Sequence, residues 1–262
     1  MSNNESPLRY PGGKTRACKP LDAILKEHYN INDFDTVVSP FFGGGSFEFH
    51  LQNTYGLKIV ANDKFTPLVN FWVMCKMRSN ELASRLETEL GKVTKEVFSE
   101  YRNEIMNMRD VFTQSLMYFI INRCSFSGAT LSGGFSQEAS TKRFTQSSID
   151  KIRRLKLDRF EIYSTDFEPF IYSYTEDKSL LFLDPPYYLE KKSKLYGKNG
   201  DMHEYFDHDK LYEVLSKKKN WFLTYNNCEY IREKYKDFKI IETSWSYGMN
   251  NSKESSEIVI LG

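Results

Sequence analysis

DTVVSPFFGGGSFEFHLQNTYGLKIVAND, residues 35–63, decides the fold. Its opening run, DTVVS, is short and β-branched and leads directly into Gly43-Gly44-Gly45, while LKIVAND (57–63) is a second apolar run that ends in Asn62-Asp63. A strand, a glycine turn, a helix carrying Phe47, Phe49 and Leu51, and a second strand make a βαβ unit, and such units build parallel sheets. The turn also has a chemical reading. Glycines there let a ligand approach backbone N–H groups that a Cβ would block, and the helix N-terminus that follows favours a carboxylate or phosphate. An acid about 20 residues on, at the end of the second strand, can accept both hydroxyls of a ribose. Gly43, Gly45 and Asp63 are therefore candidate cofactor contacts. No G-x-G-x-x-G is present, so the expected ligand is an adenosine compound without a pyrophosphate.

Upstream, LDAILKEHY after Pro20 has helical spacing. Downstream, from about 66 to 125, the strand signal gives way to helical periodicity: Leu82, Leu86 and Leu90, then Phe98, Tyr101 and Ile105, then LMYFII at 116–121. Residues 125–148 are rich in Ser, Thr and Gly and read as a long loop of the kind that carries function or stays mobile. Ser147, with Asp150 three residues on, is a capping signal for the helix IDKIRRLKL. Strands then return as FEIYS (160–164), SLLFLD (179–184), WFLTY (221–225), FKIIETSW (238–245) and EIVILG (257–262). The expected architecture is α/β, with residues 1–65 and 158–262 forming one domain and residues 66–157 a mainly helical insertion.

A chain of 262 residues suits one core with such an insertion. Its 20 Phe, 17 Tyr and 3 Trp supply large apolar faces, so a hydrophobic content of only 40% does not imply disorder. With 36 basic against 35 acidic residues the net charge is +1, which excludes a uniformly basic nucleic-acid coat; any polyanion must meet a local patch. Cys18, Cys75, Cys124 and Cys228 stand far apart without a CxxC pair, and only four His are present, so neither a zinc site nor a disulfide framework is expected. Reduced thiols fit a cytoplasmic setting. The N-terminus has no apolar signal region and no run approaches the ~18 apolar residues of a membrane span, so a soluble, unexported protein with no membrane partner is expected.

The sharpest chemical signal is Asp184-Pro185-Pro186-Tyr187, at the end of the apolar run SLLFL. Two prolines cannot continue a strand, so they fix a rigid turn at the carboxyl edge of the sheet, where open α/β folds bind ligands. Asp184 offers a carboxylate and Pro185 a carbonyl oxygen, two acceptors for one NH2 group. Tyr187 offers a flat face for a planar ring.

Together with the glycine turn and Arg9-Tyr10-Pro11-Gly12-Gly13-Lys14, this tetrapeptide resembles the Dam-like (D12 class) DNA adenine-N6 methyltransferases, and the order of the motifs is that of their α group. The resemblance implies a Rossmann-like S-adenosylmethionine-dependent methyltransferase fold in which the insertion at 66–157 recognises the target. It implies S-adenosylmethionine as cofactor, S-adenosylhomocysteine as product, no metal, and double-stranded DNA as partner. It also implies a bacterial, phage or viral setting, with a restriction endonuclease acting separately. Residue by residue, Tyr10 and Lys14 match the motif that contacts the methionine end of the cofactor. Phe41, Gly43 and Gly45 match the cofactor turn, Asp63 the ribose acid, and Asp166 the acid near the cofactor's adenine. Asp184, Pro185, Pro186 and Tyr187 match the catalytic turn, Asp184 being a cofactor contact as well, and Phe206, His208 and Leu211 a later motif. One position departs: where many members carry an acid just before Pro-Phe, this chain has Ser39.

An adenine amino nitrogen is a poor nucleophile because its lone pair is delocalised into the ring. Hydrogen bonds to Asp184 and the Pro185 carbonyl favour a pyramidal nitrogen and stabilise the charge that develops. A base inside a duplex cannot reach such a pocket, so the target must be flipped and stacked on Tyr187. The same grip suits cytosine N4, an RNA base or a protein glutamine, and a catalytically weak DNA-binding relative is a reading of a different class. For DNA, the run from Lys142 to Arg159 holds seven basic residues against two acids. Lys142, Arg143, Arg153 and Arg154 are candidate phosphate contacts, and Arg123, Ser125 and Ser127 in the recognition region are candidate contacts to bases or phosphates. Lys191, Lys192, Lys194 and Lys198 form a further basic loop.

Overall fold

A computed structural model of the protein describes residues 4–175, 177–188, 206–246 and 254–262. All seven runs read as strands are strands: β1 (Thr36–Ser39), β2 (Lys58–Asn62), β3 (Phe160–Tyr163), β4 (Ser179–Leu183), β5 (Trp221–Asn226), β6 (Lys239–Ser246) and β7 (Glu254–Leu261). They form one sheet in the order β3-β2-β1-β4-β5-β7-β6. The first five pair in parallel, with Val37 beside Ile59 on one side and Leu180 on the other. Strand β7 departs from this pattern and inserts antiparallel between β5 and β6. The strand order reverses between β1 and β4, and the crevice above such a reversal is where open α/β sheets bind ligands.

Alternation along each strand sorts the core into two layers. Val37, Ile59, Phe182 and Phe222 face helices α1 (Cys18–His28), α2 (Ser46–Tyr55) and α3 (Thr66–Glu87). Val38, Val60, Leu181 and Leu223 face α8 (Phe167–Tyr174), α9 (His208–Leu215) and α10 (Glu229–Lys234). The first layer continues without a break into the insertion, through α4 (Lys95–Glu104), α5 (Val111–Cys124) and α7 (Gln146–Arg154), while α6 (Gln137–Lys142) packs on α5. Helix α5 carries the apolar LMYFII run and packs against α3.

Residues 125–148 are not the open loop their composition suggests. They form two 3-10 turns and α6, with Ser125, Thr130, Leu131 and Phe144 buried, because Ser and Thr hydroxyls here satisfy backbone groups internally. Helix α7 starts two residues earlier than the Ser147 signal implies. Its cap is Thr145, in a reciprocal capping box with Ser148. No described helix is long and apolar enough to cross a membrane.

Candidate active site

The crevice at the β1/β4 reversal opens into a cavity of about 860 Å3, within the ~300–1,000 Å3 of cofactor and small-molecule sites. Tyr10, Lys14, Phe41, Gly43, Gly45, Asp63, Asp166, Asp184, Pro185, Pro186 and Tyr187 all line it, so residues scattered from 10 to 187 meet on one surface.

Strand β4 is fully buried, and Asp184 emerges at its carboxyl end. Lys14 Nζ donates to both carboxylate oxygens of Asp184, at 2.7 and 2.8 Å, and to the Gly12 carbonyl at 3.1 Å. Thr224 Oγ1, from the neighbouring β5, donates to Asp184 Oδ1 at 2.6 Å. The Lys14 side chain is only 3% exposed and Asp184 22%, so this is a largely desolvated ion pair. The same ammonium lies 5.0 Å from the centroid of the Tyr187 ring. Tyr187 is fixed at its other end, where its hydroxyl donates to Glu257 Oε2 at 2.5 Å; Glu257 is a buried residue of β7.

At the end of β1, Phe41 packs against Phe167 and Phe206, with ring centroids 5.6 and 5.4 Å away. The glycine turn is used differently from its sequence reading. A Cβ on Gly43 or Gly44 would come within 2.8 Å of Tyr10, and one on Gly45 within 2.4 Å of the Phe42 ring. The glycines thus admit the chain's own aromatics. Gly43 and Gly45 also have φ of 49° and 67°, the left-handed region that glycine occupies without a Cβ penalty. The Gly43 N–H is engaged by Asp63 Oδ2 at 3.0 Å, Asp63 Oδ1 accepts from Phe65 N at 2.9 Å, and Trp72 Nε1 donates to the Gly43 carbonyl. Burial pushes the Asp63 carboxyl up to about 6, against those two N–H donors, which pull it down.

Asp166 caps α8 through Glu168 N and pairs with Lys64 at 2.8 Å. The hydrogen bonds from Lys64 and its own helix outweigh burial and hold its carboxyl below the ordinary range. His208 Nδ1 lies 2.6 Å from the Tyr225 hydroxyl.

Sequence reasoning missed four side chains that build this site. Asn62, 1% exposed, ties the loop after β1 to that after β3 through the Pro40 and Thr165 carbonyls and Thr165 N. Thr224 and Glu257 come from strands read only as apolar runs. Glu48, on the first turn of α2, is 2% exposed, lines the cavity and accepts the Ser39 hydroxyl at 2.5 Å. Burial pushes its carboxyl up to about 8; the Ser39 hydrogen bond and Lys14 oppose that rise and Asp184 adds to it. An acid between Phe47 and Phe49 was the available signal, since a charge on an apolar helix face calls for an explanation.

The expected DNA contacts divide. Arg143 and Arg154 are exposed. Ser127 is exposed too, with a left-handed φ of 52°, and its neighbour Phe126 is 69% exposed. Arg123 is turned inward: its guanidinium donates to the Arg143 and Pro7 carbonyls, so it braces the N-terminal segment. Burial, with Arg9 and Arg143 nearby, pushes it down to about 10. Ser125 is fully buried, its hydroxyl spent on Asn122 O and Thr130 N. Arg153 grips Glu87 with both terminal nitrogens, and Lys142 pairs with Glu138. Lys191, Lys192, Lys194 and Lys198 lie outside the described residues. Among the described residues, no cluster of three or more His, Cys, Asp or Glu is placed to hold a metal, and all four cysteines are free thiols.

Residues 10–249 match the family D12 class N6 adenine-specific DNA methyltransferase. The Type II methyltransferase M.MjaIII of Methanocaldococcus jannaschii is 24% identical over 263 aligned positions, covering 89% of this chain and 88% of that protein. The DNA adenine methylase of Escherichia coli is 24% identical over 195 positions, covering 71% of this chain and 66% of the methylase. The family match begins at Tyr10 and runs past the carboxyl edge of every parallel strand, so it spans the whole cavity and not one tetrapeptide within it. On that extent, the chain belongs to the D12 class N6 adenine-specific DNA methyltransferases.

Proposed function

We propose that this methyltransferase binds S-adenosylmethionine in the β1/β4 cavity and methylates N6 of an adenine flipped out of duplex DNA. The observation that carries this reading is that Asp184-Pro185-Pro186-Tyr187 shares one cavity with Asp63 and the glycine turn. The donor set suits the cofactor. Across the carboxyl edge of the sheet, Asp166 follows β3, Asp63 follows β2, Ser39 ends β1 and Asp184 follows β4, four neighbouring strand ends in a row. At about 4.8 Å per strand the row spans ~14 Å, room for a nucleoside with its tail. Asp63 receives the ribose hydroxyls, while Phe41 and Phe167 flank the cofactor's adenine beside Asp166.

Bound S-adenosylmethionine supplies an electrophilic methyl group; the chain positions the nitrogen that takes it. A carboxylate has about four lone-pair sites. On Asp184, Lys14 takes one on each oxygen and Thr224 a second on Oδ1, which leaves one on Oδ2 for the target N–H. The Pro185 carbonyl takes the other N–H. Tyr187, held by Glu257, is a preformed platform on which the flipped base stacks.

Residues 66–157 form the recognition part, with residues 1–65 and 158–262 the catalytic part. Arg9 and Arg123 each lie close enough to Arg143 for their charges to repel, and a phosphate would relieve that repulsion. Arg143, Arg154 and the exposed Phe126–Ser127 tip therefore face the DNA. The test is transfer of labelled methyl from S-adenosylmethionine to unmodified duplex DNA, RNA or a glutamine-bearing peptide. Label in N6-methyladenine of DNA is expected. Label in N4-methylcytosine, RNA or peptide would replace the adenine assignment, and no label despite cofactor binding would favour a DNA-binding relative.

A further inference from the structure

Strand β1 ends in Ser39, and a buried carboxylate stands beside it. Glu48 reaches the same spot from α2, with Ser39 Oγ donating to its Oε1 at 2.5 Å. Both residues are buried, at 1% and 2% exposure, and Glu48 lines the cavity between the Asp63 and Asp184 strand ends. An acid buried this deeply costs stability, since desolvation disfavours its charge and the nearby cation, Lys14, is drawn to Asp184. A cationic ligand group would remove that cost.

We propose that Glu48, oriented by Ser39, accepts the α-ammonium group of the S-adenosylmethionine tail. The assignment rests on the S-adenosylmethionine reading above and adds to it a residue from a different element. The order of groups supports it. With the ribose at the end of β2 and the target amino group at the end of β4, the tail crosses β1, where Ser39 and Glu48 meet.

The pairing has a proton signature. The groups facing Glu48 are Ser39 from β1, Cys18 from α1, Lys14 from the 3-10 turn before α1, and Asp184 after β4. Lys14 is drawn to Asp184, and burial pushes the Cys18 thiol up to about 12, so it is neutral at pH 7. With its carboxyl pushed up to about 8, Glu48 is largely protonated at pH 7 in the free protein. Receiving an ammonium ionises it, and the proton passes to the buffer.

Titration calorimetry of the full chain with S-adenosylhomocysteine and with 5′-methylthioadenosine, which keeps the nucleoside and thioether but has no amino-acid tail, separates the possibilities. Buffers of different ionisation enthalpy count the protons. For the wild type we expect S-adenosylhomocysteine to release close to one proton at pH 7. Glu48→Gln should bind it about 10- to 100-fold more weakly with no release, and should bind 5′-methylthioadenosine as the wild type does. Ser39→Ala, a milder change, should weaken only S-adenosylhomocysteine, by several-fold. Equal losses for both ligands would make Glu48 merely structural, and unchanged S-adenosylhomocysteine affinity in both variants would place the ammonium elsewhere. Either result overturns the assignment. If the wild type binds neither compound, the S-adenosylmethionine reading itself falls, and the assignment with it.

Discussion

The side chains at the site are tied to one another before any ligand arrives, and that determines which substitutions are informative. Asp184→Ala removes the acceptor but also strands Lys14, which is 3% exposed; breaking a buried pair by deleting one partner costs up to about 3–5 kcal/mol. Loss of activity in that variant would mix folding with chemistry. Asp184→Asn keeps the volume and an acceptor oxygen for Lys14, although not the counter-charge, so its urea midpoint should fall less than that of Asp184→Ala while methyl transfer is lost. An equal fall in the two variants would mean that the charge of the ion pair, and not the space it fills, holds the turn. Glu48 makes a prediction in pH. Its carboxyl is pushed up to about 8 and that of Asp63 to about 6, both above their values of roughly 4 in an unfolded chain. The native state therefore binds these protons more tightly, and the stability contributed by these two groups is full near pH 4 and falls as pH rises through 6 and then 8. Glu48→Gln should flatten the fall between pH 6 and 8 and raise the Tm at pH 8. An unaltered slope would assign that proton to another group.

Among the elements, those read from the sequence are the ones whose own residues declare them. Val37-Val38, Ile59-Val60 and Leu180–Leu183 are apolar runs bounded by turn residues, and each is a strand. The βαβ unit at 35–63 was legible because its glycines sit between two such runs. The antiparallel placement of β7 was not, because EIVILG is buried whichever way it runs and direction is set by a partner far away in sequence. The hidden parts of the site have the same cause. Asp184 and Asp63 are marked by their turns, whereas Thr224, Glu257 and Asn62 act only through neighbours that the sheet brings to them. Residues 125–148 misled because Ser, Thr and Gly describe a solvated loop and a self-capped one equally well. Two substitutions test this level. Gly45→Ala should cost at least about 1–2 kcal/mol from its left-handed backbone alone, and its Cβ would meet the Phe42 ring. It should weaken S-adenosylhomocysteine binding as well as lower Tm. Thr145→Ala should cost about 1 kcal/mol through the lost α7 cap, leaving that binding unchanged. Equal effects of both on ligand binding would show that the glycine turn has no special hold on the cavity.

Over the whole molecule, one apolar layer runs from the sheet into the inserted helices, so the two rest on a shared core. Helix α5 makes the link tangible: Asn122 bonds the backbone of Arg9 through both its amide atoms, fixing the segment that carries Tyr10 and Lys14. A net charge of +1 leaves DNA binding to the few cations not already paired. Arg143→Ala and Arg154→Ala should each flatten the dependence of log affinity on log salt by about 0.9, weakening all duplexes alike. Arg153→Ala, which breaks the contact to Glu87, should lower Tm and leave that slope in place. A slope altered by Arg153→Ala and untouched by the other two would move the DNA surface to another face. The central claim is that the turn after β4 presents an adenine amino group for methylation, and one measurement reaches it directly. DNA from cells without adenine methylation, expressing either wild type or Asp184→Asn, is digested and its nucleosides are identified by mass spectrometry. The account predicts N6-methyladenine with the wild type and none with Asp184→Asn, although the variant still binds S-adenosylhomocysteine; N6-methyladenine undiminished by Asp184→Asn would contradict it.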